Sequence, residues 1–132
     1  MILVDTSVFI GYFKKSRGTP YDKMDYIIDA DIPFGICNYI YLELLQGAGN
    51  QQEYKLLKEY LGTLPFYDLL YGKQSFENAA LLYNACRKNG ITPRGTLDII
   101  ITEIALENNL YLLHDDIDFT NISKVHKHLK IY

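Results

Sequence analysis

Asp5, Glu43, Asp98 and Asp116 stand in four separated stretches of a 132-residue chain, each beside an apolar segment able to fix its place in a fold. Carboxylates brought together repel one another and cost folding free energy unless they are protonated or offset by a cation. A divalent metal is the economical solution. Mg2+ and Mn2+ prefer oxygen ligands, and Mg2+ usually keeps several waters while a few carboxylates and a substrate phosphate complete its shell. Such an ion lowers the pKa of water and stabilises charge on a leaving oxygen; two ions roughly 3.5 to 4 Å apart divide those tasks. No serine or cysteine nucleophile with a paired histidine is evident, so the acids carry the chemical signal.

Each acid also has a plainer reading. Asp5 is placed to cap a helix beginning near Ser7, and Glu43 by spacing alone suits an exposed helical position. Asp98 stands among Leu97, Ile99, Ile100 and Ile101, where an unpaired charge would be expensive, which favours a functional role. In Asp115-Asp116-Ile117-Asp118 at least one acid is expected to form a turn or cap the segment Phe119 to Ser123, and spacing does not say which.

The elements that would position these residues follow from the apolar pattern. Ile2 to Val4, Phe34 to Cys37, Leu64 to Tyr67 and Leu110 to Leu113 are short apolar runs with turn or polar flanks, as buried parallel strands are. Between them the sequence predicts helices over Ser7 to Lys15, Tyr21 to Asp29, Tyr39 to Gln46, Gln52 to Leu61, Gln74 to Lys88 and Pro93 to Glu107, with loops at Ser16 to Pro20 and Gly47 to Gln52. This alternation argues for an α/β fold with a parallel sheet covered by helices on both faces. The last helix is the best marked: Leu97, Ile100, Ile101, Ile104 and Ala105 share one face, Thr92 is placed as its cap and Pro93 at its first position. Asn38 is similarly placed to cap the helix carrying Glu43, and Gly47 to end it.

In open parallel sheets a ligand sits beyond the carboxyl ends of the strands. Asp5 directly follows the first strand and Asp116 closely follows Leu113, while Glu43 and Asp98 fall in the early turns of their helices. All four therefore are expected to converge on one rim.

Size and composition set the frame. A chain of 132 residues, 48% hydrophobic, suits one domain spanning residues 1–132 and buries roughly two-thirds of its unfolded surface. Cys37 and Cys86 lack the spacing of a zinc or redox motif and are expected to be buried thiols in a reducing compartment. With no signal-peptide pattern and no apolar run long enough to span a bilayer, a soluble cytoplasmic protein with no membrane contact is expected. The formal charge of −3 counts mildly against a general nucleic-acid binder. Basic residues are nevertheless grouped, at Lys14-Lys15 with Arg17, at Arg87-Lys88, and along Lys124, His126, Lys127, His128 and Lys130. Acids engaged with metal would leave the remaining surface more positive than the total suggests. The 12 tyrosines invite a reading as base-stacking platforms, but Tyr39 and Tyr41 with Leu42 and Leu45, and Tyr54 with Leu57 and Leu61, match packed helical faces.

These residues together resemble the PIN-domain family, and within it the bacterial VapC toxins of toxin–antitoxin pairs. Val4-Asp5-Thr6-Ser7 resembles the family's opening strand motif and Glu43-Leu44-Leu45-Gln46-Gly47 its helical glutamate motif. Gly90-Ile91-Thr92 followed by Leu97-Asp98 resembles the third, and Leu112-Leu113-His114-Asp115-Asp116-Ile117-Asp118-Phe119 the fourth. Each motif alone is weak; four in the right order across nearly the whole chain are a strong signal. The resemblance implies a three-layer α/β/α sandwich and a ribonuclease that hydrolyses phosphodiesters of single-stranded RNA with Mg2+ or Mn2+. By motif position it assigns Asp5, Glu43, Asp98 and Asp116 to catalysis, with Asp5, Asp98 and Asp116 holding metal. Asp118, Thr6 and Ser7 become auxiliary groups. It further implies a homodimer and a cognate antitoxin whose basic side chain blocks the acids. Two departures, Ile117 where relatives often carry a basic residue and the lead-in Pro93-Arg94-Gly95-Thr96, bear on substrate contacts. Arg94, Lys14 and Lys15 are candidate phosphate contacts, and Arg94 equally suits a solvated position.

Other classes fit less well. A non-catalytic PIN-like module would use the acidic pocket only to receive a partner's basic tail, yet acids stand at all four motif positions. A phosphoacceptor signalling domain needs an acceptor aspartate after a central strand and a lysine after a late one, which neither Asp68 nor the stretch after Leu113 supplies. An Asp-x-Asp phosphatase fails because Ser7 stands two residues after Asp5.

Overall fold

Ile2, Leu3 and Val4 form strand β1 (Ile2–Val4) with no side chain facing water, which is why three consecutive apolar residues stand where an exposed strand would alternate. A computed structural model describes all of residues 1–132. After β1 the chain runs α1 (Thr6–Phe13), α2 (Thr19–Asp29), β2 (Phe34–Cys37), α3 (Asn38–Gln46), α4 (Gln51–Leu61) and β3 (Phe66–Tyr67). It continues through α5 (Lys73–Lys88), α6 (Thr96–Glu107), β4 (Tyr111–Leu113), α7 (Ile117–Val125) and β5 (Lys130–Ile131).

The five strands form one all-parallel sheet in the order β3-β2-β1-β4-β5. Helices pack mainly within two groups, α1 to α4 and α5 to α7, giving the three-layer α/β/α arrangement expected from the alternating pattern. The order carries a physical consequence. The chain leaves β1 toward β2 and β3, then crosses back to place β4 on the other side of β1, so the connections diverge at the β1–β4 boundary. A crevice opens at such a switch point beyond the strands' carboxyl ends. The backbone N–H of Asp5 donates to the Leu113 carbonyl at 2.9 Å, extending the β1–β4 pairing to the edge of that crevice.

A continuous core of 26 buried residues joins the sheet to both helical groups, and includes Cys37 and Cys86 as free thiols. Burial pushes the Cys37 thiol up to about 11, as an apolar site does to any thiol.

The sequence reading is corrected at several points. Helix α6 starts at Thr96, not Pro93: Gly95 is its N-cap, in extended conformation, and 91–95 is a loop. Thr92 and Pro93 therefore do not cap and open the helix; the Arg94 N–H bonds an Asp118 carboxylate instead of entering a helical turn. Along α6 every residue from Ile99 to Ala105 is buried, so the helix is enclosed on all sides, and Leu97 stays 38% exposed rather than joining the apolar face. Asn38 does not cap α3: it is the first helical residue, behind Cys37, and no side chain caps that end. Gly47 ends α3 as expected. Leu42 projects to solvent, as does Tyr54, while Tyr39, Tyr41 and Leu57 pack against the core and Leu61 lies within it. The third strand is shorter than Leu64 to Tyr67, and β5, hidden in the basic tail, has no apolar run to announce it.

Candidate active site

At the carboxyl end of β1 the strand ends in Asp5, whose Oδ2 accepts the Ser7 N–H at 3.0 Å and the Ser7 hydroxyl at 2.6 Å. The helix-cap reading is thus realised by the same carboxylate that faces the crevice. Asp5 is 6% exposed; burial raises its carboxyl against the pull of the Ser7 donors, the Thr6 N–H and His114. Ser7 also accepts the Asp115 N–H at 3.0 Å, so one hydroxyl ties the end of β1 to the turn after β4. Thr6 donates its hydroxyl to Glu43 Oε1 at 3.3 Å and brings α3 to the same rim. Burial and the nearby Asp5 raise the Glu43 carboxyl, with the Thr6 bond opposing them.

Helices in a parallel α/β fold run back against the strands, so their first turns lie at the strands' carboxyl edge. That geometry delivers Asp98 from the first turn of α6 and Asp118 from the first turn of α7, while Asp116 caps α7. One carboxylate oxygen from each of Asp98, Asp116 and Asp118 falls within 4.8 Å of the other two. Burial raises Asp98 to about 7, helped by the charges of Asp116, Asp5, Asp118 and Glu43. Five carboxylates therefore act on one another here, and Asp98, like the more deeply buried Asp5, resists ionisation unaided.

Arg94 moderates this charge. Its Nε lies 2.9 Å from Asp118 Oδ2 and its terminal nitrogen 2.8 Å from Asp116 Oδ1, while its backbone N–H reaches Asp118 Oδ2 at 3.1 Å. Asp116 Oδ1 also accepts the Asp118 N–H at 2.9 Å. Burial alone would raise Asp118, but the Arg94 and Asp98 contacts prevail and hold it below the ordinary range.

The structure brings Asp5, Glu43, Asp98 and Asp116 to one rim with Thr6 and Ser7, but the tightest set replaces Asp5 with Asp118. Lys14 sits just past α1, in a groove that reaches Glu43, and Lys15 is exposed with a left-handed backbone (φ 55°). Two further residues serve the site without being among its sequence-marked groups. His114 Nδ1 accepts the Asp116 N–H at 3.1 Å, and burial lowers the ring's pKa despite the surrounding acids, so a neutral imidazole holds the Asp116 turn. Tyr21 donates its hydroxyl to Asp115 at 2.6 Å, which takes that acid out of the crevice. Room for the Tyr21 ring comes from Gly11, where a Cβ would overlap it. His114 had a positional signal, directly after a buried strand; Tyr21, 94 residues from Asp115, had none.

An all-oxygen donor set around an acid that resists ionisation fits a hard divalent cation. Such acids at a sheet switch point are the arrangement that the four sequence motifs imply, and a family model described as PIN domain matches residues 2–125. The chain belongs to the PIN-domain family. Among PIN-domain relatives, VapC ribonuclease Mb1587 of Mycobacterium bovis and Ribonuclease VapC11 of Mycobacterium tuberculosis are each 27% identical over 126 residues, covering 95% of this chain and 93% of theirs. In solved structures the fold is similar to a chain of VapBC2 from Rickettsia felis bound to a promoter DNA fragment, with TM-score 0.74, 17% identity, and coverage of 100% of this chain and 98% of that one. It is also similar to a chain of VapBC-1 from nontypeable Haemophilus influenzae, with TM-score 0.72, 24% identity, and coverage of 100% and 97%.

Proposed function

We propose that this PIN-domain chain is a metal-dependent endoribonuclease, the toxin of a toxin–antitoxin pair, acting in the cytoplasm on single-stranded RNA. The observation that carries the reading is the Asp98, Asp116 and Asp118 oxygen set beside Asp5 and Glu43, which is costly to fold unless it serves a cation. The names of the two relatives given above, a VapC ribonuclease and Ribonuclease VapC11, support the reaction class.

Asp98, Asp116 and Asp118 would hold the ion, Mg2+ or Mn2+, with Asp5 close enough to share its charge. When bound, such an ion supplies Lewis acidity that acidifies water and offsets charge on phosphate oxygens. The protein's own groups do the rest. Ser7 fixes Asp5, Thr6 fixes Glu43, and His114 fixes the turn bearing Asp116, so the acids stand ready before substrate arrives. Arg94 at the acids and Lys14 in the groove that reaches Glu43, with the neighbouring exposed Lys15, would meet the RNA backbone.

The antitoxin has a fitting surface. A groove of about 750 Å³ between α1, α3 and α4 exposes Ile10, Phe13, Leu56 and Tyr60 and ends at Glu43. A partner segment seated there would reach the acids. One observation favours a second reading, a non-catalytic module that captures a basic tail: Arg94 shows that the pocket accepts a guanidinium.

The test is RNA cleavage by purified protein with Mg2+ or Mn2+. Cleavage is expected to stop with chelator and to fall about a hundredfold or more in Asp98→Asn and Asp5→Asn, with folding retained. Cleavage that persists in both variants would exclude this site, and metal binding without any RNA cleavage would favour the non-catalytic module.

A further inference from the structure

Arg94 is the feature of the pocket that neither the acids nor the family explains. Its side chain is 69% exposed, yet the guanidinium bridges two different carboxylates of the close triad, and its own N–H fastens the loop to one of them. The loop leading to it is constrained: Pro93 is buried and Gly95 is the extended N-cap of α6, so the backbone stays at the rim whatever the side chain does. The guanidinium and a divalent ion are both drawn to Asp116 and Asp118, and the two cations repel each other. An exposed ion pair is weak and its side chain is free to swing into solvent, whereas a divalent ion gains from three oxygens at once.

We propose that Arg94 is a built-in competitor of the metal, a clamp that holds the carboxylates together in the metal-free protein and is displaced when the ion binds. This inference rests on the metal-site reading above. Displacement leaves a planar bidentate donor free at the mouth of the site, where a guanidinium suits an RNA phosphate. Metal binding thereby converts Arg94 from a ligand of the acids into a ligand of the substrate, so that a phosphate grip develops only at a loaded site.

The test is Mn2+ titration followed by electron paramagnetic resonance, with folding checked by circular dichroism. Arg94→Ala is expected to bind Mn2+ about three- to tenfold more tightly than the unaltered protein, and Arg94→Lys to fall between, since a lysine keeps the charge without the fork. In Mn2+-loaded protein, Arg94→Ala is expected to bind an uncleavable single-stranded 2′-O-methyl oligonucleotide several-fold more weakly, with the salt dependence reduced by about one phosphate contact. Unchanged or weaker Mn2+ binding in Arg94→Ala overturns the competitor role, and unchanged oligonucleotide binding overturns the transfer to substrate. Asp98→Asn separates this from the reading beneath it. If that variant keeps full Mn2+ affinity the metal site itself is wrong; if it loses Mn2+ while Arg94→Ala matches the unaltered protein, only the clamp is wrong.

Discussion

At the scale of single residues, Asp98 shows what the site costs the fold. Its carboxyl, held near 7 by burial and by the charges of Asp116, Asp5, Asp118 and Glu43, binds a proton in the folded chain that the unfolded chain releases near 3.8. The folded state is thus the better proton binder between those values, and stability declines as pH rises through that window. Asp98→Asn removes the charge while keeping the shape. In metal-free protein at pH 8 it is expected to raise Tm by a few degrees, a gain on the order of 1 kcal/mol, while abolishing the further rise expected of the unaltered protein on adding Mg2+. Differential scanning fluorimetry with and without Mg2+ reads both; an unchanged metal-free Tm would mean that the acids do not repel as their placement implies.

At the scale of elements, strand pairing depends on close approach at one glycine. A Cβ on Gly35 in β2 would collide with the Pro65 carbonyl just before β3, and backbone cannot move aside as a flexible side chain would. The Ile36 N–H donates to that same carbonyl at 3.0 Å. Gly35→Ala is therefore expected to cost about 1–3 kcal/mol by urea denaturation, through separation of β2 from β3. Gly11→Ala meets the Tyr21 side chain first, so its effect should be felt mainly as a broken link to Asp115. The loop 91–95 makes the complementary point: by staying out of α6 it places Arg94 over the acids, which a helix begun at Pro93 would not do.

At the scale of the whole molecule, charge and apolar surface are unevenly distributed. Five of the 16 acids gather at the crevice, so the remaining surface carries a basic excess against 13 lysines and arginines, which offsets the formal −3 as a barrier to RNA. A second pressure on stability comes from Glu103, buried in α6 beside Glu107: burial, then the bond to Glu107 and its charge, raise it to about 7. The sign is again loss of stability as pH climbs from the ordinary glutamate range to about 7. Glu103→Gln is expected to shrink the fall in urea midpoint between pH 5 and pH 8; an unaltered fall would remove Glu103 from the account. On the apolar side, if the groove of α1, α3 and α4 receives the proposed antitoxin, Leu56→Asp should leave RNA cleavage within about twofold and abolish neutralisation by that partner, measured by inhibition of cleavage.

The sequence by itself determined the α/β alternation, the buried strands Ile2–Val4 and Phe34–Cys37, and the candidate acids, because apolar periodicity and an isolated charge such as Asp98 among isoleucines are local signals. It could not fix the start of α6, where Thr92-Pro93 satisfies every local rule for a helix beginning yet Arg94 gains more from the Asp118 carboxylate. Nor could it foresee that Asp118, placed at the site only as an auxiliary acid, stands in the closest set with Asp98 and Asp116, that Tyr21 removes Asp115, or that Lys130-Ile131 completes the sheet. Those outcomes depend on which groups meet across long separations in the chain, and such meetings are decided by strand order and packing, which leave no trace in neighbouring residues.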